Sequence, residues 1–380
     1  MSRKWFLNLA LLGASLLACV LILEIGVRFF APQYKKIFRF DEAVGVTRIP
    51  NSTFTYVSGG QRIKHSVNTD GFKTPNVGYA KPEGTFRVVL LGDSMTEAIQ
   101  VPDSDSFRSK LEEYLEKGMF YSVEVINLGY SGYGTAQEYL TLVEFGLRYE
   151  PDLVILNFLA DNDVGNNSKK LEEGASKPFF VLEDGKLVQI KHPEKQGGKK
   201  LASLITDYLV LPRFLYLKMQ SLKSNVDLPT QEENFAILNL RSGVYNQTYN
   251  DSWNEAWDIT KQLIKATRDA SEGSGAEFLL VSYPAIRQTI PEVVAEYTDL
   301  HKGEGIIIDV ELPETILKEF AVMENLNFLS LLEIFKSKEN VAELYIPNDG
   351  HLSQTGHILV AESIYEYLNN KLNIENAEKN

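Results

Sequence analysis

Short apolar runs alternate along this chain with longer stretches in which apolar residues recur at helical spacing. The runs are residues 87–91, 123–126, 153–159, 278–284 and 327–331, and the helical stretches are 107–115, 253–270, 313–323 and a segment that ends at 368. Apolar runs indicate buried strands, and strands that alternate with helices indicate a parallel sheet. The pattern therefore predicts an α/β fold, a three-layer α/β/α sandwich around a roughly five-stranded parallel sheet.

Clusters of glycine and polar residues follow three of these runs, and a fourth cluster precedes the last helical stretch. They are residues 92–94, 127–134, 160–163 and 348–353. Open α/β sheets bind their ligands at the carboxyl ends of the strands. Gly92 permits the tight turn that would deliver Ser94 to the start of a helix, where backbone N–H groups can meet developing negative charge. Each cluster alone is ordinary turn chemistry, so the indication of a site comes from their combination.

In chain order the four clusters contain a serine, a glycine, an asparagine and a histidine. In this the chain resembles the SGNH (GDSL-like) hydrolases over about residues 84–370. The resemblance implies an SGNH-hydrolase, flavodoxin-like version of the predicted α/β/α sandwich. The chain departs from the family in the third cluster, 160–163, which lacks a glycine two positions before its asparagine.

The resemblance assigns a role to one or two residues in each cluster. It implies that Ser94 is the nucleophile, that His351 is the general base and that Asp349 orients the histidine. It also implies three oxyanion-hole donors, namely the N–H of Ser94, the N–H of Gly132 and the side-chain amide of Asn162. A serine hydroxyl needs a base that removes its proton before it can act as a nucleophile. The histidine base needs a carboxylate that fixes one tautomer, and the oxyanion of the intermediate needs hydrogen-bond donors held in place.

The acid next to the histidine is the second departure from the family, which usually spaces the two as D-x-x-H. Here Asp349 lies two residues before His351, and Asn348 holds the position three residues before it. We predict that Asp349 accepts the histidine hydrogen bond, because only a carboxylate stabilises an imidazolium and Gly350 permits the required turn. The alternative base, His357, lies in the first turn of the predicted last helix, where a histidine is usually structural.

The function implied is that of a serine esterase or hydrolase acting on an acyl ester, with acetyl esters among the candidates and no cofactor. Two alternatives use the same fold: an O-acyltransferase that modifies a cell-envelope polysaccharide, and a non-catalytic envelope scaffold. The substrate would be a small acyl ester or an acylated glycan. A metal hydrolase built on Asp93, Asp163, Asp349 and His351 lacks any recognisable ligand spacing, so no metal is expected.

Composition narrows the range of partners. The net charge of −13 argues against nucleic acid or an anionic membrane surface as a partner. The single cysteine, Cys19, excludes an intrachain disulfide and a cysteine-based metal site.

The N-terminus carries a long apolar segment. Residues 5–23 include no charged side chain, and as a helix such a run would span about 28 Å, close to the thickness of a bilayer core. We expect a single-pass membrane anchor; lipidation at Cys19 and a cleaved signal peptide are the alternatives. Arg3 and Lys4 favour an N-terminus inside the cell, whereas the basic residues within 28–39 oppose it. Because the chain resembles anchored, exported hydrolases, we expect the catalytic domain outside the cytoplasm.

The sequence divides into four parts. We expect the anchor at 1–31, a β-hairpin lead-in at 32–83 packed on the main domain, the hydrolase domain at 84–370 and a polar tail at 371–380. An insertion at about 164–250 interrupts the hydrolase domain.

Within the insertion, residues 179–188 predict a hairpin with Asp-Gly at its turn, 191–200 a solvated basic loop, and 208–222 helical structure. The insertion could form a lid or substrate wall, or be inert.

Overall fold

The computed structural model describes residues 3–58, 60–119, 122–172, 177–190, 209–224, 243–303 and 305–371. Its strands are β1 (Phe38–Asp41), β2 (Gly45–Arg48), β3 (Thr53–Ser58), β4 (Gln61–Ser66), β5 (Thr85–Leu91), β6 (Ser122–Asn127), β7 (Leu153–Phe158), β8 (Phe179–Glu183), β9 (Lys186–Ile190), β10 (Glu277–Ser282) and β11 (Phe328–Ser330). Its helices are α1 (Arg3–Phe30), α2 (Ser94–Glu97), α3 (Phe107–Met119), α4 (Thr135–Glu144), α5 (Ala160–Asn166), α6 (Val210–Ser224), α7 (Asp251–Gly273), α8 (Ile286–Thr289), α9 (Pro291–Lys302), α10 (Leu312–Met323), α11 (Leu332–Lys336) and α12 (Gln354–Lys371).

The centre of the molecule is a five-stranded parallel sheet in the order β11-β10-β7-β5-β6. The predicted α/β/α sandwich is therefore confirmed, with the predicted apolar runs as its strands. Every residue of β7 is buried, as expected for a parallel strand with helices on both faces. Apolar residues of α4, α7 and α10 pack on one face of the sheet, and those of α3, α11 and α12 pack on the other.

Sequence periodicity underestimated some of the helices. The last helix, predicted to end at 368, continues to Lys371, and its buried residue Leu368 still packs against the core. The rest of the 371–380 segment lies outside the described residues. Helix α9 was not predicted; it begins with Pro291 in its first turn, a position that proline favours.

Among the described residues, three small antiparallel ladders lie outside the central sheet. In the 32–83 segment β1 pairs with β2 and β3 pairs with β4. In the insertion β8 pairs with β9, and Asp184 and Gly185 take the positive φ angles of 48° and 75° that a tight hairpin turn requires. The basic segment 191–200 lies outside the described residues.

The N-terminal helix α1 is long and apolar enough to cross a membrane by length and composition. Its apolar side chains are exposed; Ile22, for example, is 68% exposed.

His357 in α12 is buried rather than placed at the nucleophile, and its ring stacks on Phe107 with the ring centres 5.9 Å apart. Burial lowers its pKa to about 3, so the ring stays neutral in the folded chain at mildly acidic pH. The unfolded chain binds a proton there below its ordinary pKa of about 6.5. As the pH drops below about 6.5, the His357 ring should therefore lower the free energy of unfolding by up to about 1.4 kcal/mol per pH unit.

Unfolding midpoints at pH 6.5 and pH 5 measure this effect. We expect the His357→Leu variant to lose less stability between the two conditions than the unaltered chain. An equal loss in both proteins would contradict the assignment of this pH dependence to His357.

Candidate active site

The turn after β5 carries Ser94 as the first residue of α2. Gly92 has a φ of +153°, and a Cβ added there would lie 2.2 Å from Oγ1 of Thr96. Only glycine fits this turn, which explains why the strand ends on it. Asp93 caps α2, since its side chain accepts the N–H of Met95 at 2.9 Å. Ser94 therefore stands on a rigid, capped turn at the carboxyl end of a central strand.

A loop before α12 brings His351 to this turn. The Nε2 atom of His351 lies 2.8 Å from Oγ of Ser94. On the other side of the ring, Nδ1 contacts Oδ1 of Asp349 in a short hydrogen bond, and the same oxygen accepts the backbone N–H of His351 at 3.1 Å. The loop turns at Gly350 with a φ of +83°, while the side chain of Asn348 is exposed. The three groups form a chain from carboxylate through imidazole to hydroxyl.

The two other predicted site residues follow β6 and β7. Gly132 has a φ of +82°, and no heavy atom lies within 4 Å of the place where a Cβ would stand, so this backbone faces open space. Asn162, in α5, donates a side-chain N–H to Oδ2 of Asp93 at 2.7 Å. The amide carries two N–H groups, and Asp93 fixes it by accepting one. Asp93 thus joins the turn that carries Ser94 to Asn162.

Behind Asn162 lie further buried carboxyl groups. Burial raises the pKa of Glu138, with the nearby Asp93 adding to the effect. Burial also raises the pKa of Asp163, with Glu138 as the next cause, and the pKa of Asp93. Asp163 accepts the backbone N–H of Leu159 at 2.7 Å and so fixes the turn from β7 into α5. Among the described residues no three His, Cys, Asp or Glu side chains are grouped so that they could hold a metal ion.

Sequence reasoning missed a buried ion pair beside Ser94. Arg48 lies at the end of β2. Its Nε donates to Oε1 of Glu97 at 2.7 Å, and its Nη2 lies 2.6 Å from the same oxygen. The other oxygen of Glu97 accepts the backbone N–H of Ser131 at 2.9 Å and its hydroxyl at 2.5 Å. Glu97 therefore links helix α2, which begins with Ser94, to the loop that carries Gly132. No local pattern in the sequence indicates this contact, because Arg48 and Glu97 are 49 residues apart.

Replacing Arg48 with methionine should displace this loop. We expect kcat to fall by about 10²-fold, the cost that displacements near 1 Å can have, with KM changing less. Ester hydrolysis and the thermal midpoint measured together test this expectation, and Arg39→Met, at a half-exposed arginine of β1, is the matched control. A lower thermal midpoint with unchanged kcat would reduce Arg48 to a purely stabilising role.

A cleft of about 430 Å³ adjoins the Gly132 loop. Its walls come from the lead-in hairpin, the Gly132 loop and the start of the insertion: Phe38, Val44, Val46, Tyr130, Ser131, Gly132, Tyr133, Gln137, Glu172 and Lys177. Glu172 and Lys177 form an ion pair of 2.6 Å at this wall. The cleft thus combines aromatic and charged groups.

No family model and no curated protein matches this chain. Similar solved structures do exist. The chain is similar to hydrolases of the GDSL type. One is a GDSL-like lipase from Bacteroides thetaiotaomicron, at 13% identity and a TM-score of 0.38, covering 77% of this chain and 92% of that one.

Two further similar structures are named as esterases. A family 3 carbohydrate esterase from Clostridium thermocellum is 14% identical, with a TM-score of 0.37 and coverage of 76% of this chain and 98% of the other. The acetyl xylan esterase AlAXEase is 16% identical, with a TM-score of 0.36 and coverage of 74% and 98%.

Proposed function

We propose that this chain is an ester hydrolase that works through an acyl-enzyme on Ser94. The observation that carries the proposal is the 2.8 Å contact between Oγ of Ser94 and Nε2 of His351, with Asp349 on the other ring nitrogen. His351 takes the proton of Ser94 as the hydroxyl attacks the ester carbonyl. It then gives that proton to the departing alcohol.

The second half of the reaction releases the acid. His351 removes a proton from water as the water attacks the acyl-enzyme. It then gives that proton to Oγ of Ser94 as the bond between Oγ and the acyl carbon breaks, which releases the acid and regenerates both residues. In both steps the negative charge on the carbonyl oxygen is stabilised by the N–H groups of Ser94 and Gly132 and by the amide of Asn162. Asp349 holds the imidazole in one tautomer and stabilises its charged form.

Asn162 offers a separable test of the oxyanion donors. The Asn162→Ala variant should lose about 10²–10³-fold in kcat, the usual cost of one lost donor. Steady-state hydrolysis of an activated acetyl ester measures this. Asn166→Ala is the control about one turn further along α5, where the amide donates to the carbonyl of Tyr133. Equal and small losses in both variants would remove Asn162 from the oxyanion hole.

The proposed activity is tested with the full chain in detergent and p-nitrophenyl esters of increasing acyl length. We expect turnover that is greatest for short acyl groups, because acetyl esters are the candidate substrates. A chain that folds and hydrolyses none of these esters would contradict the proposal.

Acyl transfer is the second candidate, and the cleft beside Gly132 favours it because its aromatic and charged groups could hold a sugar acceptor. In this reaction a sugar hydroxyl replaces water as the group that attacks the acyl-enzyme. Incubation with an acyl donor and candidate glycans separates the two reactions. Acylated glycan that accumulates faster than free acid indicates transfer, and free acid alone indicates hydrolysis.

We also propose that α1 anchors the chain in a membrane as a single span, with the N-terminus inside and the catalytic groups outside the cytoplasm. The support is the length and apolar composition of α1 together with the exposure of its side chains.

A further inference from the structure

Helix α6 of the insertion is fixed to the end of the apolar helix α1. The carboxylate of Glu24 accepts the first two N–H groups of α6, those of Val210 at 2.9 Å and Leu211 at 2.7 Å. Arg28 holds the same carboxylate at 2.7 Å. Glu24 is only 7% exposed, so α6 begins directly on α1. These contacts join positions 186 and 187 residues apart in the chain.

The position of Glu24 fixes the level at which α6 begins. Glu24 directly follows the uncharged run 5–23, and a carboxylate in hydrocarbon is costly, so it marks the border of the bilayer core. Beyond it α1 continues for six residues to Phe30, which is 80% exposed. Those six residues rise by about 9 Å, roughly the depth of one headgroup layer.

Early residues of α6 pack on the chain that follows the end of α1. Phe214 packs edge-to-face on Tyr34, with the ring centres 5.0 Å apart, and Tyr34 lies just past the end of α1. The guanidinium of Arg213 lies 5.5 Å from the ring centre of Phe38. The span residues themselves remain exposed, so α6 does not run along them into the bilayer core.

The outer face of α6 is apolar and exposed. Leu215 is 49% exposed, Tyr216 57% and Met219 56%, and Leu209, just before the helix, is 39% exposed. Its described basic residues are Arg213 and Lys218, and the helix has no acidic residue, although the whole chain has a net charge of −13. Apolar residues beside basic ones are typical of helices that lie in the lipid–water interface.

We propose that α6 lies in the headgroup layer of the bilayer that α1 crosses, as a second membrane contact on anionic lipid. Leu215, Tyr216 and Met219 bury their apolar surface among the lipids, and the basic side chains meet the lipid phosphates. The proposal rests on the membrane span by α1 and is independent of the chemistry at Ser94. It would hold the cleft beside Gly132 close to the membrane surface, since Phe38 both lines that cleft and meets Arg213.

The test measures the depth of single fluorophores on the full chain in vesicles of phosphatidylcholine and phosphatidylglycerol. Cys19→Ser removes the one native thiol, and single cysteines are then introduced by Met219→Cys, Ile22→Cys or Val322→Cys and labelled with bimane. Ile22 reports on the span. Val322 is the matched control, because it is an exposed apolar residue, 84% exposed, on helix α10 of the central domain. Nitroxide lipids and aqueous iodide serve as the two quenchers.

We expect nitroxide lipids to quench the labels at positions 22 and 219 and iodide to quench the label at 322. Iodide quenching at 219 with lipid quenching at 22 would overturn the proposal and leave the span intact. Protection of 219 from both quenchers would also overturn it, since a protein surface such as a second copy would then cover α6. Loss of lipid quenching at both 22 and 219 would remove the span, and the proposal with it.

Discussion

The Ser94→Ala variant is expected to lose about 10⁶-fold in kcat for ester hydrolysis, as other serine hydrolases do when the nucleophile is removed. The reason is that Ser94 provides the only atom that bonds to the acyl group in the proposed reaction. Removing Oγ costs little in packing, because Ser94 is partly exposed at the end of β5 and alanine fits its place. The thermal midpoint should therefore stay close to that of the unaltered chain.

Hydrolysis of p-nitrophenyl acetate by purified variants measures this loss. Ser104→Ala, at an exposed serine ten positions further on, is the matched control and should keep full activity. Activity retained in the Ser94→Ala variant would remove the serine mechanism altogether.

The Asp349→Asn variant should lose about 10⁴-fold in kcat, as the corresponding change does in other triads. The Asp349 carboxylate contacts Nδ1 of His351 and also accepts its backbone N–H. An asparagine can present an N–H to Nδ1, which fixes the wrong tautomer, and it cannot stabilise the imidazolium that forms during attack.

Asn348→Ala is the matched control for this prediction, because Asn348 is the adjacent residue and its side chain is exposed. We expect it to lose little activity. Near-normal turnover of Asp349→Asn would reduce the triad to a Ser–His dyad.

The sheet could be predicted because its strands are local patterns. Residues 153–156 form an uninterrupted apolar run, and every residue of β7, including the polar Asn157, is buried between the helical layers. The order of the strands could not be predicted in the same way, because β6 and β7 follow each other in the chain and yet lie on opposite sides of β5. The ends of elements were less predictable: α12 extends past 368 because tertiary packing of Leu368 supports another turn.

The site could be foreseen only where it depends on motifs at strand ends. Ser94 and His351 stand in recognisable clusters, and a parallel sheet brings strand ends to one edge. No motif marks Arg48 as part of the site, since its partner Glu97 is distant in sequence and lies in a different element. The same holds for Glu24, whose carboxylate fixes the start of α6 far along the chain. These contacts exist only once the fold has formed, so no local pattern encodes them.

Covalent trapping tests the central claim most directly. The full chain is treated with a fluorophosphonate, which phosphonylates an activated serine, and the modified residue is located by peptide mass spectrometry. We predict one adduct, on the peptide that contains Ser94, and its loss in the His351→Ala variant, because the imidazole is needed to activate the hydroxyl. An active chain that carries no adduct on Ser94, or that carries its adduct on another residue, would contradict the account.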